Sequence, residues 1–249
     1  MIKLKTTDEI DKIRNAGKIV AAALAELQLA VQPGIATIEL DALAERSIRN
    51  AGAKPSFKGY DGFSFSICTS VNDELAHGIP GSFVLRDGDI ISIDIGAQYE
   101  GFHADSAWTY PVGRVSGSVR KLLDAAEHSL YQGIAEAKPG AHLTNISHAV
   151  QRVAESNGFS VVRELTGHGI GRELHEEPAV PNFGEPGHGP ILEPGMVLAV
   201  EPLINAGNRN VYIVEDDDWT ILTQDGKNCA HFEHTLVITE NGNEILTKQ

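Results

Sequence analysis

An ordered internal repeat constrains this chain more than any other feature, because two copies of one unit must pack as two halves of one architecture. Ile10, Ile13, Val20, Leu24, Leu27 and Val31 recur at helical spacing behind a Thr6-x-x-Glu9 capping box, and the pattern stops at Pro33-Gly34. A second helix is expected from about Thr37, with Ile38, Leu40, Leu43, Ala44 and Ile48 apolar, ending at Asn50-Ala51-Gly52. The same grammar returns later. A helical stretch from about Ser118 to Ala137 halts at Pro139-Gly140, and Thr144 opens another helix that ends at Asn157-Gly158. Pro33 and Pro139 are 106 residues apart. Gly88-Asp89-Ile90-Ile91-Ser92-Ile93-Asp94 is echoed by Gly195-Met196-Val197-Leu198-Ala199-Val200-Glu201, with Asp94 and Glu201 107 apart. His77-Gly78-Ile79-Pro80 is echoed by His168-Gly169-Ile170-Gly171 at an offset of 91. Each half therefore reads helix, helix, then strands. We expect an α+β layered fold with halves of about 1–115 and 116–249 related by a pseudo-twofold axis, their strands pooled in one sheet.

Charge narrows the function classes. Twenty Lys and Arg against 34 Asp and Glu give a formal net charge of −14, which repels nucleic acid and anionic lipid and favours cations or neutral to cationic substrates. The sequence advertises no local basic patch that would reverse this sign. There is no long apolar run and no apolar signal core near Met1, so the expectation is a cytoplasmic chain without membrane insertion. Cys68 and Cys229 are too few for a disulfide framework or a four-cysteine zinc site.

The carboxylates on strands ask for a cation. Ile91, Ile93 and Ile95 share one face of a strand while Asp94 lies on the other with Ser92. A return strand runs from Phe102 to Tyr110. A two-residue turn at Tyr99-Glu100 places Asp94 directly opposite Asp105, with Cβ atoms about 5 Å apart. Two ionised carboxylates at that separation repel unless a proton or a cation lies between them. Glu201 ends the equivalent strand of the other half, and Glu233 sits in the strand-like run Phe232-Glu233-His234-Thr235-Leu236-Val237-Ile238. Four acidic groups and one imidazole suit a pair of hard to borderline divalent ions better than a closed zinc site.

Ten histidines are present. His128, His142, His148 and His188 fall in helical or glycine-proline surroundings and read as surface or hydrogen-bonded residues, as does His103. His168 stands apart in Gly167-His168-Gly169-Ile170-Gly171, where missing side chains would let a metal or substrate approach the backbone. His77 and His175 flank turns and read as acid/base or outer-sphere groups.

Taken together, Asn72-Asp73-Glu74-Leu75-Ala76-His77-Gly78-Ile79-Pro80, Asp94 with Asp105, Gly167 through Pro178, Glu201-Pro202 and Phe232-Glu233-His234-Thr235 closely resemble type I methionine aminopeptidases, in order and essentially end to end. The resemblance implies the pita-bread metallopeptidase fold of family M24, shared with aminopeptidase P, prolidase and creatinase, and a 249-residue single catalytic domain in the minimal bacterial form, a monomer. It implies two divalent ions, cobalt, manganese, iron or zinc, with Asp94 chelating one, Asp105 and Glu233 bridging, and His168 and Glu201 completing the other site. Glu201 would accept a proton from the attacking water, His175 would donate to the oxyanion, and His77 would bond the scissile amide. Tyr60, Phe63, Cys68, Leu174 and Trp219 would line the methionine pocket. The implied substrate is the N-terminus of a peptide or nascent protein whose second residue is small, and any transient ribosome association needs a basic patch. The alternatives are an X-Pro-cleaving enzyme of the same fold, which usually carries a long N-terminal domain absent here, and a non-catalytic peptide-binding or ribosome-associated protein, which typically loses ligands that this chain keeps.

Overall fold

A computed structural model describes residues 2–248. Four helices form where the apolar periodicity places them: α1 Thr7–Ala30, α2 Thr37–Asn50, α3 Gly117–Glu136 and α4 Thr144–Ser156. The capping box closes as expected, with Thr6 Oγ1 accepting from the Glu9 N–H and the Glu9 carboxylate accepting from the Thr6 N–H. Gly34 and Gly140, which follow the two stopping prolines, both take positive φ (100° and 84°), so the punctuation that ends α1 and α3 is the same in both halves. Among the described residues no helix is long and apolar enough to cross a membrane.

The strands of the first half are β1 Lys54–Pro55, β2 Ile67–Val71, β3 Glu74–Ala76, β4 Ile90–Tyr99 and β5 Phe102–Pro111. Those of the second half are β6 Ser160–Val161, β7 Thr166–Gly169, β8 Glu176–Pro181, β9 Val197–Val200, β10 Leu203–Asn205, β11 Val211–Ile213, β12 Ile221–Thr223, β13 Cys229–His231, β14 His234–Thr239 and β15 Gly242–Ile245. In the first half β4 pairs with β1 and β2 and with β5; in the second the order is β15-β14-β9-β7-β8, and every pairing is antiparallel.

Each half buries one face of its sheet against its own helix pair. Ile91, Ile93 and Ile95 of β4 pack with Val20, Leu24 and Leu27 of α1 and Leu40, Ala44 and Ile48 of α2. Leu198, Val200, Leu236 and Ile238 pack with Leu122, Ala126 and Leu130 of α3 and Ile146 and Val150 of α4. The α+β expectation is met, with the helices outside and the opposite sheet faces turned inward.

Pooling of the strands takes a different form from one continuous ladder. The edge of β5 meets the segment 231–235 through a seam of mixed bonds: the Glu233 N–H donates to the Ala107 carbonyl, Ser106 Oγ donates to the Glu233 carbonyl, and the Asp105 N–H donates to Thr235 Oγ1. Thr235 Oγ1 also lies 2.8 Å from the Asp105 carbonyl and 3.0 Å from Asp105 Oδ1. Side chains replace ladder bonds here because residues 232 and 233 break the strand run between β13 and β14, freeing Glu233 to point inward. Thr235→Val keeps the shape and removes the hydroxyl; it is expected to lower stability by about 1–3 kcal/mol, read as a lower urea midpoint with unchanged slope.

The hairpin register also differs from expectation. The turn is Glu100-Gly101, both at positive φ (48° and 81°), as a type I′ turn requires, and glycine suits the second position better than glutamate would. Asp94 therefore faces Ala107, and Asp105 faces Gly96. The two-residue displacement preserves side-chain parity, so both aspartates still share the inward face as diagonal neighbours.

Candidate metal centre

Register explains how five donors from distant stretches meet. On β4, Asp94 lies between Ala107 of β5 and Cys68 of β2, with Asp105 two residues along β5 from Ala107. In the second half His168 of β7 is opposite Ala199, and Ala199 is opposite Thr235, so these side chains share the inward face. Glu201 and Glu233 continue that face past the ends of β9 and β14. Thr235 then ties Asp105 of one half to this row of the other.

The resulting distances are short. Donor atoms of Asp105, His168 and Glu233 all lie within 4.8 Å of one another. His168 Nε2 is 3.6 Å from Asp105 Oδ2 and 3.7 Å from Glu201 Oε1. The other His168 nitrogen, Nδ1, is 2.9 Å from the Gly169 carbonyl, which sets the tautomer with Nε2 free to face the carboxylates. Asp105 and Glu233 are buried, and Asp94 Oδ1 is a buried oxygen with no hydrogen-bond partner.

Electrostatics make this cluster untenable as bare carboxylates. Burial pushes Asp94 and Glu201 up to about 8 and holds Asp105 and Glu233 above the usual carboxylate range. For Asp94, Glu201 and Glu233 the neighbouring carboxylates add to that desolvation. A cation among these oxygens relieves what protons otherwise must. The set of four carboxylates and one imidazole, with an orphaned buried oxygen among them, fits hard to borderline divalent metal.

The donors form one wall of a cavity of about 460 Å³. Tyr60, Phe63, Cys68, Leu174 and Trp219 all line it, as do His77 and His175. Phe63 and Trp219 pack edge-on with ring centroids 5.1 Å apart. Burial pushes the Cys68 thiol well above its usual value, so it serves as an apolar, polarisable wall and not as a nucleophile. His77 takes a left-handed φ of 58°, a conformation uncommon for histidine that aims its ring at the cavity. Burial lowers both His77 and His175 to about 4, with His168 a further cause for His175, so both are neutral at pH 7. His175 Nδ1 lies 2.7 Å from the Tyr60 hydroxyl.

Two readings of the sequence are corrected. The glycines flanking His168 do not open the backbone to a ligand: a Cβ on Gly167 would stand 2.4 Å from the Ala199 carbonyl oxygen, and one on Gly169 2.2 Å from that of Glu177. They are there so that β7 fits between β8 and β9. The echo of His77 in His168 also does not mark equivalent places, since His168 lies within β7 whereas His77 follows β3 in a loop. The five histidines read as surface or hydrogen-bonded residues behave as expected: His103 is bonded to Ser56 and Gln98, His142 and His148 to carbonyls, and His128 and His188 are exposed.

Sequence reasoning left out other lining residues, Phe57, Leu165, Thr166 and above all His231. His231 is buried, and its Nε2 lies 3.3 Å from Glu201 Oε2. It was visible only as a residue two before Glu233 on the same alternation.

Comparisons with known proteins give the family and the fold. The chain matches metallopeptidase family M24 over residues 11–240. It is 60% identical over 248 residues to methionine aminopeptidase 1 of Bacillus subtilis, covering 100% of both chains. It superposes on the crystal structure of a methionine aminopeptidase from Thermotoga maritima with a TM-score of 0.98 at 46% identity, covering 100% of each. A prolidase from Pyrococcus furiosus matches with a TM-score of 0.81 at 26% identity, over 99% of this chain and 65% of that one.

Proposed function

Because the chain belongs to metallopeptidase family M24, alongside the methionine aminopeptidases, we propose that it removes an N-terminal methionine from peptides and nascent proteins whose second residue is small. The observation that carries this is that four carboxylates and one imidazole line one wall of a cavity that also holds His77, His175 and an apolar patch of Phe63, Cys68, Leu174 and Trp219.

In this reading Asp94, Asp105, His168, Glu201 and Glu233 hold two divalent ions. When bound, these supply Lewis acidity, making water a better nucleophile at neutral pH and polarising the peptide carbonyl. Glu201 takes the proton released by the water and passes it to the leaving amine. Tyr60 donates its O–H to His175 Nδ1, which leaves the His175 Nε2–H to be donated to the developing oxyanion. Being neutral, His175 stabilises charge by hydrogen bonding without giving up a proton. His77 bonds the scissile amide. Phe63, Cys68, Leu174 and Trp219 surround an unbranched thioether with aromatic and polarisable surface.

A panel of peptides tests the reading. With Mn²⁺ supplied, Met-Ala-Ser is expected to be hydrolysed, and Leu-Ala-Ser about 10- to 200-fold more slowly because of the altered pocket contact. Preferential cleavage of an X-Pro dipeptide would favour the prolidase-like activity instead. His77→Ala is expected to bind metal as the parent does while kcat falls by about 10²–10³.

A further inference from the structure

We infer that His231 is a positioning residue for Glu201, donating its Nε2–H to Glu201 Oε2 so that Oε1 stays turned toward His168 and the metal. The inference rests on the metal reading above. It begins from an unusual feature: His231 is 2% exposed, and neither ring nitrogen has a hydrogen-bond partner. A buried polar group left unpaired is costly, so such a ring marks a place where the structure is completed by something else.

Its backbone, in contrast, is tightly held. The His231 N–H donates to Thr109 Oγ1 across the seam, the Thr109 hydroxyl lies 2.8 Å from the His231 carbonyl, and β13 pairs His231 with Leu203 of β10. The ring is thereby fixed in the cavity wall, with Nε2 3.3 Å from Glu201 Oε2 and off the line of a formed hydrogen bond. A small rotation of the carboxylate completes that bond.

Two of the other donors are each oriented by an outer partner: Asp105 is bonded by Thr235, and His168 Nδ1 meets the Gly169 carbonyl. Among the described residues no hydrogen bond reaches the Glu201 carboxylate; its two oxygens face two imidazoles, Oε1 at 3.7 Å from His168 and Oε2 at 3.3 Å from His231. Metal-binding carboxylates are ordinarily oriented by such outer partners. His231 is also unlike a ligand itself, because a ligating imidazole normally donates its second nitrogen to a carbonyl or carboxylate, and His231 Nδ1 has no such acceptor.

Mn²⁺ binding to chelator-stripped protein, followed by the signal of free Mn²⁺, separates the possibilities. His231→Leu removes the donor and is expected to weaken Mn²⁺ binding about 10- to 100-fold. His231→Gln, whose amide nitrogen reaches near the place of Nε2, is expected to bind like the parent. Should the leucine variant fail to fold, His231→Met supplies a donor-free side chain of similar bulk. Parent-like binding by the donor-free variant overturns the inference while leaving the metal reading intact. Binding by His231→Gln as weak as by His231→Leu overturns it too, since the imidazole would then matter for more than its N–H. Absence of Mn²⁺ binding by the parent would defeat the metal reading, and this inference with it.

Discussion

Asp94→Asn is expected to lose metal and activity together. Asp94 stands on β4 opposite both Cys68 and Ala107, and its Oδ1 is buried without a partner; the Ile95 N–H and His231 offset only part of the cost of burying its charge, which leaves a cation or a proton to answer the rest. Asparagine keeps the size but presents an N–H₂ group or a neutral carbonyl to the ion. The fall in peptide hydrolysis is expected to exceed about 100-fold, the upper range of outer-partner substitutions, with a matching loss of Mn²⁺ by elemental analysis. Above about pH 8, where these buried acids ionise against one another, the same change is expected to raise the melting temperature in the presence of a chelator. Parent-like turnover of Met-Ala-Ser by this variant would show that Asp94 does not serve the reaction.

Metal affinity is expected to rise steeply with pH. Without a cation, Asp94 and Glu201 hold protons up to about 8, far above the usual carboxylate value of roughly 4. The folded chain thus binds protons that the unfolded chain has released. Stability without metal is fully present below the unfolded values near 4, and it declines as pH rises through about 8. A bound cation displaces those protons, so between pH 6 and 8 each displaced proton adds about 100-fold to the apparent affinity. His77 and His175, lowered to about 4, stay neutral across this window and do not offset the trend. Mn²⁺ titrations at pH 6, 7 and 8 check this, and an affinity independent of pH would contradict it.

Much of the fold was legible because its signals are local. Helix starts and stops depend on residues such as Thr6, Glu9, Gly34 and Gly140, whose preferences act within a turn. The inward placement of Asp94 and Asp105 was legible through strand parity, which survives an error of two residues in the hairpin. The register itself was not, because it depends on which dipeptide takes the positive-φ positions, and Tyr99-Glu100 competes with Glu100-Gly101 on sequence alone. The seam was hidden for a different reason: Thr235 meets Asp105 across 130 residues through side-chain bonds that follow no strand alternation. His231 was overlooked on the same ground, since its unpaired ring gains meaning only when Glu201 is beside it.

The central claim is that Asp94, Asp105, His168, Glu201 and Glu233 together bind divalent metal. Anomalous diffraction at the manganese edge from crystals grown with Mn²⁺ tests it most directly. The account predicts manganese peaks within bonding distance of these five side chains; crystals with all five ordered and no manganese among them would contradict it.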